Sequence, residues 1–296
     1  MSEAQIVWPK KTREFQNSFA DSARWNDFKF RDGDIVVASY PKSGTTVMQQ
    51  VVRQLVFGAP ETPEDPSDFQ WPERVPMGPL SVPPEATQAN RCILKTHLPI
   101  DALVFSPTAK YIYVARDPRD VVWSAYNHLI AFPDIVWKSG YPGRRPEGDE
   151  RDHYLDFLAD KCAPMPTFGD YWDHVRGWWA IRGVPNILFV HNAHLKADLA
   201  DAIRRVAAFL DIALDDTLMP KILKHCSIDY MRNAAVSQAP SAPGASDFMN
   251  KFFNKGTNGR WKDVLSAEEI ARCDEVAAQN LTPDCAHWLK TGEMPK

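Results

Sequence analysis

Three short stretches set reactive or anion-binding residues just behind apolar runs of strand length. The first, "SYPKSGTT" (Ser39 to Thr46), follows Ile35 to Ala38 and precedes "VMQQVVRQLVF". Val47, Met48, Val51, Val52, Leu55 and Val56 recur at the spacing of one buried helix face, so the loop ends at a helix N-terminus. The first N–H groups of a helix have no partner within it and carry the positive end of its dipole, which suits an anion; Lys42 adds a full charge. Ordinary capping by Ser43 or Thr45 is the simpler use of the same residues. The second stretch, "YIYVARDPRDVVWSAYNHLI", stands Arg116 at the tip of a strand ending at Ala115 and puts Ser124 two turns into the next helix. A guanidinium fork suits phosphate. The competing use is a surface ion-pair network of Arg116, Asp117, Arg119 and Asp120. The third stretch, "CILKTHLP", brings Lys95 and His97 out together at a strand end. Positive charge beside an imidazole holds its pKa down, which keeps it ready to accept a proton at neutral pH. Two anion sites on one sheet edge imply a ligand with phosphates at both ends.

These sites need a scaffold that gathers strand ends. Predicted strands at Ile35–Ala38, Cys92–Leu94, Tyr111–Ala115 and Ile187–Val190 alternate with helical patterns. That alternation is the signature of an α/β fold, a central parallel sheet flanked by helices with ligands at the carboxyl ends of its strands. Asp170 to Gly183 and Ala197 to Ile212 read as amphipathic helices, and Ser266 three residues before Glu269 has capping-box spacing. A chain of 296 residues, 44% hydrophobic and 24% charged, has ample material for one large domain, taken as 1–296. A net charge of -4 argues against a general nucleic-acid surface. No 18-residue apolar run or secretory signal stands out, so a cytoplasmic enzyme without a membrane partner is expected. Five cysteines at scattered spacing form neither a disulfide framework nor a zinc knuckle. Three long segments, Gly58–Asn90, Phe132–Phe168 and Ala235–Asn258, read as lid or binding loops.

In this combination the motifs resemble the soluble sulfotransferases that use 3′-phosphoadenosine 5′-phosphosulfate (PAPS), in particular the bacterial branch of the cytosolic aryl and alcohol type. "YPKSGTT" is similar to that family's 5′-phosphosulfate loop and "ARDPRDVVWSAYNH" to its 3′-phosphate strand-loop-helix. "KTHLP" is similar to its catalytic strand end, and "NKGTNGRWKDVL" to its C-terminal lysine-glycine loop. The resemblance runs over nearly the whole chain. It implies that Lys42, Ser43, Gly44, Thr45 and Thr46 hold the phosphosulfate, that Arg116 and Ser124 hold the 3′-phosphate, and that Lys255 and Gly256 close over it. It also implies an adenine near Cys226 and Ser227, and His97 as the base for an acceptor hydroxyl, with Lys42 and Lys95 stabilising charge. Sulfuryl carries less negative charge than phosphoryl, so no metal is expected. The product would be adenosine 3′,5′-bisphosphate (PAP).

The chain departs from the family pattern at Val47, where a stacking tryptophan is common, at Asn254, where many members have arginine, and at Asn192, in place of a tyrosine. The family's dimer motif is degraded around Lys262, Ser266, Ala267 and Ala271, which leaves the oligomeric state open. A small-molecule kinase of the P-loop type would need G-x-x-x-x-G-K-[ST], and "SYPKSGTT" lacks its first glycine and its Gly-Lys order. A non-catalytic nucleotide-binding protein would not need the set Lys42, Lys95 and His97. The acceptor is expected to be a small molecule with a hydroxyl, phenol or amine. Glu61, Glu64, Asp65, Asp68, Glu147, Asp149, Glu150 and Asp152 would favour a cationic one if they lined the site, and otherwise form a solvated surface.

Overall fold

Continuous apolar runs make the strands, because a parallel sheet covered on both faces has no solvent side to alternate with. The computed structural model describes residues 6–61, 68–75, 91–239, 244–253 and 255–295. Four strands, β1 (Ile35–Ser39), β2 (Ile93–Thr96), β3 (Lys110–Ala115) and β4 (Ile187–His191), form one parallel sheet in the order β2-β1-β3-β4. β2 starts one residue later than the sequence suggests and runs on through Lys95 and Thr96, so Cys92 precedes it. The helices in chain order are α1 (Thr45–Val56), α2 (Pro118–Ile130), α3 (Asp134–Lys138), α4 (Glu150–Leu158) and α5 (Tyr171–Ala180). There follow α6 (Asn192–Ala197), α7 (Leu199–Phe209), α8 (Met219–His225), α9 (Ile228–Ser237), α10 (Ala245–Phe252), α11 (Ala267–Asn280) and α12 (Pro283–Thr291).

Side chains on each strand point alternately to two cores. Val36, Ala38, Tyr111 and Tyr113 face the first, where α2, α4, α5, α11 and α12 contribute Val122, Tyr154, Trp178, Val276 and Trp288. Ile35, Val37, Ile112 and Val114 face the second, built with Met48, Val51 and Val52 of α1, Ile203 and Val206 of α7, and Ile222 of α8. Trp25, Trp178 and Trp288 are wholly buried, so much of the tryptophan content fills core. All five cysteines are free. Among the described residues no helix is long and apolar enough to cross a membrane.

Two of the segments read as loops contain helices. Phe132–Phe168 carries α3 and α4, and α4 begins at a capping box in which Asp149 and Asp152 each accept the other's backbone N–H. That box is a strong start signal which the surrounding prolines and glycines obscure. Ala235–Asn258 carries the end of α9 and all of α10. Of Gly58–Asn90, residues 62–67 and 76–90 lie outside the described residues. The helix expected over Ala197–Ile212 begins only at Leu199; Asp198 accepts from the Asp201 N–H and caps α7.

Candidate active site

Strand register gathers the predicted residues. Ala38 pairs with Thr96, Ser39 with Val114 and Ala115 with His191. The residues that follow these positions, the loop from Tyr40, His97, Arg116 and Asn192, therefore leave the sheet side by side. With Lys255, Gly256 and Thr257 they border a cavity of about 440 Å³, the size of a small-molecule site.

The loop before α1 is held open by backbone geometry. Lys42 and Gly44 take positive φ of 70° and 117°. At Lys42 this costs about 1 kcal/mol, since Cβ then crowds its own backbone. A Cβ on Gly44 would stand 2.5 Å from the Asn192 Nδ2 atom, which itself donates to the Ser43 carbonyl at 3.1 Å. Asn192 thus braces the loop at a place where only glycine leaves room. Among the described residues no side chain caps α1, and the Thr45 hydroxyl is 2.6 Å from that of Ser39. Capping is therefore not the use of these hydroxyls, and the first-turn N–H groups of α1 are left for another acceptor. Thr46 and Val47 line the cavity, while Ser43 is buried.

His97 is 5% exposed. Its Nδ1 lies 2.7 Å from the Ser39 carbonyl. A carbonyl only accepts, so Nδ1 carries the proton of the neutral ring and Nε2 presents the lone pair. Burial first, and then the charge of Lys95, push the His97 pKa well below 6.5. Trp71 and Phe168 pack edge-on against the ring at 5.3 and 5.1 Å. Burial also lowers Lys42, to about 7, helped by the charges of Arg116 and Lys95. The Lys42 ammonium is 4.5 Å from the Phe252 ring and that of Lys95 is 4.0 Å from Trp71.

Arg116 ties the loops together. Its guanidinium donates to Asn258 Oδ1 at 2.7 and 3.1 Å, to the Lys42 carbonyl at 3.1 Å and to the Thr257 carbonyl at 3.3 Å. Asn258 in turn donates to Asn192 at 3.1 Å. The alternative four-residue network does not form as such. Arg119 pairs with Asp117 at 2.8 Å and Asp274 at 3.3 Å, and Asp120 accepts the Gly259 N–H at 2.7 Å. Ser124 lines the same cavity as Arg116. Gly256 has φ 65°, and a Cβ there would fall 1.8 Å from Ile228 Cδ1. Asn254 lies outside the described residues.

Neither Cys226 nor Ser227, expected near an adenine, lines this cavity. Cys226 is 3% exposed and its side chain packs into the second core, because it closes the apolar face of α8. Ser227 caps α9, its hydroxyl donating to the Lys224 carbonyl at 2.7 Å and accepting from the Tyr230 N–H at 3.2 Å. Ile228 and Met231 line the cavity in their stead. The acidic residues of the long segments are also elsewhere. Asp68 pairs with buried Arg53, Glu61 with Lys221, and Asp149 and Asp152 cap α4. Glu64 and Asp65 lie outside the described residues. Around the cavity, seven lysines and arginines face a single carboxylate, Asp120, among the described residues.

Several residues of the site were not singled out from the sequence. Wholly buried Glu73 accepts from Trp25 Nε1 at 2.8 Å, Trp71 Nε1 at 2.7 Å, the Thr96 hydroxyl at 3.0 Å and the His97 N–H at 2.9 Å. Burial raises its pKa and these bonds oppose the rise. It fixes the backbone under His97 and the indole beside it. His128, among the rings of Phe132, Phe248 and Phe252, lines the cavity with a buried Nδ1 that has no partner among the described residues. Asn258 stands in a quoted motif, "NKGTNGRW", yet its role depends on Arg116, 142 residues away.

A strand-loop-helix turn, a buried histidine at a neighbouring strand tip and a cationic lining thus meet at one cavity, and the sequence comparisons say in which family of proteins. The sulfotransferase domain matches residues 32–283, and the chain belongs to that family. It is 30% identical over 303 residues to Sulfotransferase 1B1 of Mus musculus, covering 95% of this chain and 96% of that one. A glycolipid sulfotransferase of Mycobacterium bovis is 27% identical over 310 residues, covering 94% of each chain. Among solved structures, mouse sulfotransferase SULT7A1 complexed with PAP gives a TM-score of 0.68 at 22% identity, over 91% of this chain and 92% of that one. At that identity the likeness establishes the fold.

Proposed function

We propose that the cavity binds PAPS and that the protein transfers its sulfuryl group to a hydroxyl of a small-molecule acceptor, releasing PAP. Family membership supports the reaction class, and the PAP complex of the mouse relative supports the donor. The cavity also fits such a ligand. Cations outnumber acids around it, and the glycines at 44 and 256 let the two loops approach Asn192 and Ile228 closely at its border. In this reading Lys42, Ser43, Gly44, Thr45 and Thr46 hold the 5′-phosphosulfate, while Arg116, Ser124, Lys255 and Gly256 hold the 3′-phosphate, with Val47 beside the nucleotide. The donor supplies an activated sulfuryl group on a phosphate leaving group.

The observation that carries the reading is the His97 tautomer. With Nδ1–H spent on the Ser39 carbonyl, Nε2 is the atom that takes the acceptor's hydroxyl proton, and the depressed pKa keeps it unprotonated at pH 7. Lys42 and Lys95 bring positive charge to the same place, which lowers the barrier where negative charge develops. The test is labelled-sulfate transfer from PAPS. His97→Ala should lower kcat for a neutral phenol by about 100- to 10,000-fold, the range for losing a positioned base, with PAP affinity nearly unchanged. An acidic nitrophenol, ionised at the assay pH, should lose far less. Equal losses for both acceptors would remove the base role from His97. Absence of transfer by the native protein across phenols, alcohols and amines would overturn the function.

A further inference from the structure

We propose that Arg74 anchors an anionic group on the acceptor, so that the preferred acceptors are hydroxyl compounds, phenolic ones above all, bearing a carboxylate remote from the reacting oxygen. This rests on the sulfotransferase reading of the site. Arg74 lines the cavity half-buried, 5.5 Å over the Trp71 ring and 6.0 Å from that of Phe19. Among the described residues no carboxylate lies within ion-pair distance of it and no protein acceptor takes its guanidinium N–H groups. Burial lowers its pKa. Removing a guanidinium from water without an acceptor is costly. Ring contacts repay part of that cost but leave the planar fork of donors unused.

The other cations have work nearer the nucleotide loops. Arg116 is bound to Asn258, Thr257 and Lys42, and Lys42 lies within the loop before α1. Arg74 belongs instead to the wall that carries Trp71. The same indole has Arg74 at 5.5 Å, the His97 ring at 5.3 Å and the Lys95 ammonium at 4.0 Å. Base and anchor thus border the same indole, each within 5.5 Å of its ring centre, which keeps them within reach of the two ends of one small phenolic acid. Phe168, stacked on Trp71 at 6.2 Å, adds an apolar wall for the ring. An ammonium-bearing acceptor would meet like charge here, and the acidic residues that would have welcomed it are engaged elsewhere.

The experiment is calorimetry on the PAP-bound protein with 4-hydroxybenzoate, 4-hydroxyphenylacetate and 3-(4-hydroxyphenyl)propionate, each against its amide, and with tyramine. At least one acid should bind about 10- to 100-fold more tightly than its amide, the size of a charge-assisted hydrogen bond, and tyramine should bind worst. Arg74→Gln should erase the acid's advantage while leaving the amide and PAP affinities unchanged, and Arg74→Lys should keep part of it. The proposal is overturned if no acid outbinds its amide, or if Arg74→Gln weakens acid and amide alike, which would make Arg74 a support for Trp71. Binding is read without transfer, so the two readings fail separately. Acid preference without sulfate transfer would count against the catalytic role, and transfer to neutral phenols without acid preference would count against Arg74 alone.

Discussion

Raising the pH through the neutral range should weaken PAP binding through Lys42. Burial and the charges of Arg116 and Lys95 set its pKa to about 7 in the free protein. An anion placed against the ammonium favours its charged form, so the pKa in the complex is higher. Below the free value Lys42 is already protonated and binding takes up no proton from it. Between the free and bound values every complex takes one up, and affinity falls with rising pH, approaching tenfold per unit. From pH 7 to pH 9 the charged fraction of a group with that pKa drops about 50-fold, or about 2.3 kcal/mol of binding. The 3′-phosphate loses its last proton near pH 6 and acts in the opposite sense, so the window above pH 7 isolates the lysine. His97 is neutral throughout and contributes nothing. Calorimetry in two buffers of different ionisation enthalpy, at fixed ionic strength, counts the protons directly, and about 0.9 per complex is expected at pH 8. Lys42→Arg keeps the charge at every pH and should flatten both the uptake and the affinity profile. Lys196, whose pKa burial and Arg116 also lower, is a second lysine beside the cavity able to take up a proton. Uptake that persists unchanged in Lys42→Arg would move the proton to another cavity lysine such as Lys196, and no uptake in the native protein would refute the argument.

Gly256→Ala puts a Cβ 1.8 Å from Ile228 Cδ1 at a φ of 65°; PAP affinity should fall by about tenfold or more with the melting temperature nearly unchanged, and unaltered affinity would show that this loop does not close on the nucleotide. Glu73→Gln turns an amide donor toward a site where four donors converge. It should cost about 1–3 kcal/mol of stability in urea unfolding, and a neutral result would mean that Glu73 is already protonated in the fold.

The sheet could be read from sequence because its strands are buried on both faces, so that Ile35 to Ala38 and Tyr111 to Ala115 stand out as unbroken apolar runs. The strand-loop-helix turn before α1 was equally plain, since Lys42, Gly44 and the start of α1 are neighbours in the chain and the physics of a helix N-terminus is local. What stayed hidden depends on partners far away in sequence. Nothing near Asn258 announces that it holds Arg116, and nothing near Glu73 announces the Trp25 indole and the His97 amide that it receives. The burial of Cys226 was hidden for a related reason: a residue just before a helix cap faces cavity or core according to the packing of the preceding helix, here α8 against α1.

The division follows the chemistry. Activating a donor needs fixed backbone and a few charges at strand ends, and the topology of a parallel sheet delivers those from short motifs. Choosing an acceptor needs a wall, and this wall is assembled from Phe19, Trp71, Arg74, Phe132, Phe168 and Phe248, which come from four separate stretches of chain. Acidic residues in two of the long segments would have favoured a cationic acceptor only if they lined the site. The folded chain spends several of them on capping and on ion pairs with Arg53 and Lys221, and leaves a guanidinium facing the cavity. The sign of the charge that greets the acceptor is thus set by which residues find partners first, a property of the fold rather than of composition.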